Sequence, residues 1–260
     1  LWVSKHLFPV RPDFPETDRR SAIYSLGKNW SSVGPKIPEI DKIRSPALTK
    51  HLRYIRLTKA EVCIALALVA MKTGFNVDAI ARMTVDDWHT TSLTHPESRV
   101  VIKATKRGRI YQVYSTSSRS KALDPFRVIS EVIARQNDLR EWLRQQAEIS
   151  GSKLDAERAR LIFLYQNDYG EVSDFHNETI GGSGIGRATA LLQKILCNAE
   201  VFDQSGKPIG FTFDQCRDVW AMFTYRKSGY NLILAMKALG HRSINSLCAY
   251  LEQRSLVVED

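Results

Sequence analysis

The sequence predicts a mainly α-helical domain with a small antiparallel β-sheet. Three observations lead there. Apolar residues recur at helical spacing through most of the chain beyond residue 52. A pair of β-prone runs, 99–104 and 109–115, flanks the short basic segment TKRG. Cap residues and glycines punctuate the helical runs where starts and stops are needed.

Residues 1–51 are Pro-rich and irregular, as in FPVRPDFPETD and SSVGPKIPEIDKIRSP. They read as a linker or the tail of a preceding module. The chain does not begin with Met, so that module is expected to be missing. A compact domain is expected over 52–260. Its first helix opens on Thr58-x-x-Glu61, a capping box, runs through the apolar stretch Val62 to Lys72, and closes at Gly74. A short helix follows from Val77 to about Met83. The two β-prone runs form a hairpin with a basic tip. Asp124-Pro125 starts a long amphipathic helix to about residue 148, with Ile129, Val132, Ile133, Leu139, Trp142 and Leu143 on its apolar side. After LIFLY and a polar loop, helices are expected near 187–199, 214–228, 231–239 and 243–253. Gly229 and Gly240 end two of them, and Asn231 and Ser243 cap the starts of the next.

The 260 residues include 43% hydrophobic and 25% charged side chains, the balance of an ordinary globular chain. A net charge of +9 points to a polyanionic partner, most simply nucleic acid, and fits a basic protein with no such partner equally well. Cys63, Cys197, Cys216 and Cys248 are far apart, so neither a zinc site nor a disulfide framework is indicated, and a reducing compartment fits. The longest apolar stretch, VCIALALVAM, is too short to span a bilayer, and no membrane association is expected. His89 and His95 lack a third ligand and make no metal site.

GGSGIGRA, 181–188, comes close to a phosphate-binding loop, but Arg187 and Ala188 stand where a Lys and a Ser or Thr are needed. It reads better as a Gly loop before a helix, where Arg187 and the backbone N–H groups can hold a DNA phosphate.

One stretch carries chemistry. In ALGHRSINSLCAYLEQ, Tyr250 lies nine residues after His241, and Arg217 lies 24 residues before it. Attack on a phosphodiester by a phenol needs help removing a proton whose pKa is near 10. A guanidinium holds the charge that builds on the phosphorane, and a Lys or His protonates the leaving oxygen. No metal or other cofactor is required.

These residues resemble the C-terminal signature of the tyrosine recombinases, or phage-type integrases: an Arg, then Leu-Gly-His, then Tyr nine residues after that His. Upstream, KTGFNVDAIARMTVDDW is similar to the family's first box, matching at Thr73, Gly74, Ile80, Met83 and Asp87. The hairpin falls where the family places its catalytic lysine. The resemblance spans about 52–255 and implies a tyrosine recombinase catalytic-domain-like fold. It also implies a site-specific enzyme that cuts and rejoins double-stranded DNA as a homotetramer, without ATP or metal, in the cytoplasm at the nucleoid. Tyr250 would form a 3′-phosphotyrosine, Arg217 clamp the phosphate, and His241 bond it and help move protons. Lys106 would protonate the leaving 5′ oxygen, with Lys103 the alternative because hairpin register is not fixed by sequence. Lys103, Arg107, Arg109, Arg187 and Arg242 are the expected DNA contacts. The missing module would be the family's N-terminal DNA-binding domain.

Two positions depart from the family. Asn76 stands where the first box has arginine, and Asp214 where a histidine often precedes the second arginine. Both residue types also cap helices well. An amide offers one hydrogen bond but no charged fork. Losing one such donor costs about 3–4 kcal/mol, roughly 10²–10³ in rate. The other readings are a decayed recombinase-like accessory protein that binds DNA without cutting it, and a basic helical scaffold for a protein partner. Structural roles compete residue by residue: Tyr250 as core, His241 as part of a C-cap, the hairpin cations as a solvated turn, and Arg217 paired with Asp214 or Asp218.

Overall fold

The computed structural model describes residues 56–105, 112–166, 172–176 and 184–238. They form a mainly helical assembly with a small antiparallel sheet. The elements in order are α1 (Lys59–Thr73), α2 (Val77–Ala81), β1 (His89–Thr91), β2 (Arg99–Thr105), β3 (Gln112–Ser118), α3 (Pro125–Arg135), α4 (Asn137–Ser150) and α5 (Lys153–Arg158). Then come β4 (Leu164–Gln166), β5 (Val172–Asp174), α6 (Gly184–Asn198), α7 (Phe213–Lys227) and α8 (Leu232–Ala238).

Helix α1 is the centre of the core. The expected capping box forms: Thr58 Oγ1 accepts from the Glu61 N–H while the Glu61 carboxylate accepts from the Thr58 N–H at 2.8 Å. Its apolar residues lie on nearly every side, so it needs partners on nearly every side. It has them in α3, α6 and α7, with β3, β4 and α2 also in contact. Val62, Leu66 and Val69 are fully buried, each stabilising the fold by about 1.5–3 kcal/mol. Ala65, Ala67 and Ala70 keep the surface of α1 low enough for its neighbours to approach. Gly74 ends the helix in the left-handed conformation, φ 67°.

The expected hairpin is present, and a third strand extends it. The sheet has the order β1-β2-β3, all antiparallel, with Lys103 opposite Tyr114 and Ile102 opposite both His89 and Ser115. Val100, Ile102 and Ala104 point into the core; Val101, Lys103 and Thr105 face the other way. The strand β1 is only three residues long and exposed throughout, so it carries too little alternation to be read from sequence.

The long helix expected over 125–148 is two helices, α3 and α4, broken at Gln136. The side chain of Gln136 is fully buried and bonds two strangers to the helix. It donates to the carbonyls of Leu57 at 3.0 Å and Leu164 at 2.8 Å, and accepts from the Leu57 N–H. Arg140 follows, almost fully buried, its guanidinium donating to the carbonyls of Ile133, Leu161 and Ile162. Burial lowers its pKa to about 10. These contacts tie the break to the chain before α1 and to the segment leading into β4. The short helix α5 and the β4–β5 hairpin complete this side. Arg158 of α5 pairs with the buried Asp174 of β5 at 3.1 Å.

The last three described helices follow the expected order with shifted ends. α6 begins at Gly184, earlier than the 187 expected, so part of the glycine segment is the helix's first turn. α7 is capped by Thr212, not Asp214: Thr212 and Gln215 form a second capping box, and Asp214 sits within the first turn. Asn231 does cap α8, its Oδ1 accepting from the Leu234 N–H at 3.1 Å. The expected helix 243–253 and its cap Ser243 lie outside the described residues, as does Cys248. Cys63 and Cys216 are core residues whose thiols burial pushes up to about 12, whereas Cys197 is exposed. No helix among the described residues is long and apolar enough to cross a membrane.

Candidate functional site

The first box and the Arg217 helix meet at a glycine. Thr73 closes α1 by donating its hydroxyl to the Val69 carbonyl at 2.7 Å, and Gly74 turns the chain toward α2. A β-carbon at Gly74 would lie 1.9 Å from Cδ1 of Trp220, so the indole of α7 rests directly on the glycine backbone. Arg217 lies one turn before Trp220, on the same flank of α7. Asn76 lies two residues after Gly74. The contact therefore brings the box segment beside the helix that carries Arg217.

Asn76 is exposed and caps α2, its Oδ1 accepting from the Asp78 N–H at 2.8 Å. The amide oxygen is occupied by the cap, and the Nδ2 group is what the residue has to offer a ligand. Arg82, the arginine of the same box, is paired with Asp78 at 3.2 Å. Arg217 is half-buried, while Asp214, one turn earlier, is exposed. At the start of α7 the Asp214 carboxylate complements the helix dipole. Asp218 is buried.

The sheet contributes a second group. The Lys103 N–H donates to the Trp88 carbonyl at 2.8 Å, which draws the end of the first box alongside β2. The Lys103 ammonium is bonded to Asp87 Oδ1. Gln112 Nε2 donates to Asp87 Oδ2 at 3.3 Å, and the Tyr114 hydroxyl donates to Gln112 Oε1 at 3.1 Å. The hydrogen bond from Lys103 holds the Asp87 carboxyl below the usual carboxylate range. Its neighbour Asp86 pairs instead with Arg160 at 2.7 Å. The sequence flagged Asp87 as a family match and Lys103 as a lysine candidate, but gave no sign that they touch. Gln112 and Tyr114 were not flagged at all; strand alternation opposite Lys103 is the signal that marks them.

Arg187 lies in the first turn of α6, half-buried. Burial raises the pKa of Tyr165, and a hydrogen bond with Ser173 and the charge of Arg187 oppose the rise. The next residue, Ala188, is buried and accepts from the Cys63 thiol at 3.3 Å, which seats the start of α6 on α1. Lys106, Arg107 and Arg109 lie outside the described residues, between β2 and β3, as do His241, Arg242 and Tyr250 beyond α8. Of the expected site, the described structure brings the Asn76 segment and the Arg217 helix together. It places Lys103 at the end of the first box and Arg187 on another part of α1's surroundings. Compared with protein-family models and with curated proteins, the chain matches none.

Proposed function

We propose that this chain is a site-specific DNA recombinase of the tyrosine type, working on double-stranded DNA as a homotetramer. The observation that supports this reading best is the Gly74–Trp220 contact, because it sets the Thr-Gly box against the helix of Arg217. In the family it resembles, those two segments share one phosphate. The net charge of +9 supports a polyanionic substrate. In the reaction, the Tyr250 hydroxyl passes its proton to His241 as its oxygen attacks the phosphorus, and the bond to the 5′ oxygen breaks. A 3′-phosphotyrosine forms, and the leaving 5′ oxygen takes a proton from Lys106, or from Lys103. Arg217 and His241 hold the non-bridging oxygens. Rejoining is the reverse attack by a 5′ hydroxyl, which returns the tyrosine.

The chemistry is slow in this reading, because Asn76 supplies at most one neutral donor where a guanidinium is expected. The test is covalent trapping on nicked duplexes: an SDS-resistant adduct that Tyr250→Phe abolishes is expected. The absence of any adduct on cognate DNA contradicts cleavage.

A second reading is favoured by the cap itself. Asn76 has a complete structural reason to be where it is, as a chain that has given up cleavage would allow. A DNA-binding accessory protein then binds duplexes in a salt-dependent way and forms no adduct.

A further inference from the structure

Asp87, Lys103, Gln112 and Tyr114 form a connected polar group on the outward face of the sheet, and its geometry is that of an anion held by two donors. One carboxylate oxygen takes the Lys103 ammonium; the other takes the Gln112 amide. The donors are built into the sheet. Lys103 sits in β2 directly opposite Tyr114, and its side chain is only 15% exposed. The Tyr114 hydroxyl occupies Gln112 Oε1 and so turns Nε2 toward the anion. The anion is the least fixed member. Asp87 precedes β1 rather than lying within a strand, and its side chain is 56% exposed. When the pair opens, the Asp87 carboxylate regains water and the incoming anion takes its place on Lys103, so the largely buried ammonium keeps a partner.

A phosphodiester makes the same demand as this carboxylate: one negative charge spread over two acceptor oxygens. We propose that Lys103 Nζ and Gln112 Nε2 form a binding site for a backbone phosphate, and that Asp87 fills it in the free protein as an internal substitute. Duplex DNA displaces Asp87, because a polyanion that releases counterions outcompetes a single carboxylate. This inference rests on the DNA-binding reading above and adds Gln112 as a contact and Asp87 as its competitor.

The test is a double-mutant cycle with the full chain. Wild type, D87N, K103Q and the double variant are titrated onto a generic fluorescein-labelled duplex across a series of KCl concentrations. D87N is expected to bind roughly threefold to tenfold tighter than wild type with the same salt slope, because Lys103 meets the phosphate in both, whereas K103Q is expected to lower the slope by about 0.9, the equivalent of one phosphate. In the K103Q background the same change is expected to give less than about twofold. Equal tightening in both backgrounds overturns the proposal, since Asp87 then acts only as a distant negative charge. Weaker binding by D87N also overturns it.

A second measurement separates this inference from the DNA reading. The Gln112 side-chain amide signals of D87N are followed by NMR during titration with inorganic phosphate. A saturable shift that K103Q removes supports the site even if wild type binds no duplex, an outcome that would sink the DNA reading alone. Amide signals that do not move overturn the site whatever DNA does.

Discussion

The indole of Trp220 lies on the backbone of Gly74, closer than any side chain at that position would permit. This one contact joins the end of the central helix to α7. It also explains why a glycine is needed there twice over, for its left-handed φ of 67° and for the space above it.

Gly74→Ala is therefore expected to lower stability by about 2–5 kcal/mol, the sum of left-handed strain and overpacking. Urea denaturation measures it. Replacing Trp220 by Leu in the same chain should recover part of the loss, because it removes the clash and leaves only the backbone strain. A loss unchanged by the second substitution would show that the indole is not what the β-carbon meets.

Arg140→Met tests the break between α3 and α4. The guanidinium satisfies three buried carbonyls, and a thioether cannot donate to any of them. The expected cost is about 3–5 kcal/mol, measured by denaturant or thermal unfolding. A near-neutral result would mean that those carbonyls find other donors.

These two cases show where the sequence was legible. The start of α1 and its closing glycine could be read because Thr58, Glu61 and Gly74 act within a few residues of one another. The β2–β3 hairpin and the Asn76 cap could be read for the same reason. The break at Gln136 could not, because its cause lies in Leu57 and Leu164, far away along the chain, while the apolar spacing continues almost unbroken across it. Asp214 looked like a cap because Asp caps well, but Thr212 has Gln215 at the right distance to form a reciprocal pair. In the candidate site, the residue types were readable and their meetings were not. Neither Trp220 over Gly74 nor Asp87 on Lys103 leaves a mark in local spacing.

His89 gives a pH dependence. Its ring lies against Trp88 and Phe126, with centroids 4.1 and 5.4 Å away, and the Arg119 guanidinium lies over the Phe126 ring, 5.5 Å from its centroid. The residue is exposed, but partial loss of hydration where its ring meets Trp88 and Phe126 lowers its pKa first, the charges of Arg119 and Lys103 lower it further, and Asp87 opposes them. The folded protein thus prefers neutral His89. Its contribution is fully present above the unfolded pKa of about 6.5 and is lost as pH falls through the lower folded value. Stability measured from pH 7 downward should fall less steeply in His89→Gln than in wild type. Identical slopes would contradict the assignment.

Asn76→Arg should move two properties in opposite directions. Losing the cap is expected to cost about 0.5–2 kcal/mol of stability. If the other parts of the site are intact, the added guanidinium should raise the rate of DNA cleavage roughly 10²–10³-fold. Thermal unfolding and single-turnover cleavage report the two effects separately. A stability loss with no gain in rate would favour the accessory reading.

The most direct test of the central claim is covalent trapping with nicked duplexes tiled from the DNA flanking the gene, comparing wild type with Tyr250→Phe. The account expects an adduct that survives SDS and disappears in the Phe variant. Specific DNA binding with no adduct would contradict it and leave a protein that holds DNA without cutting it.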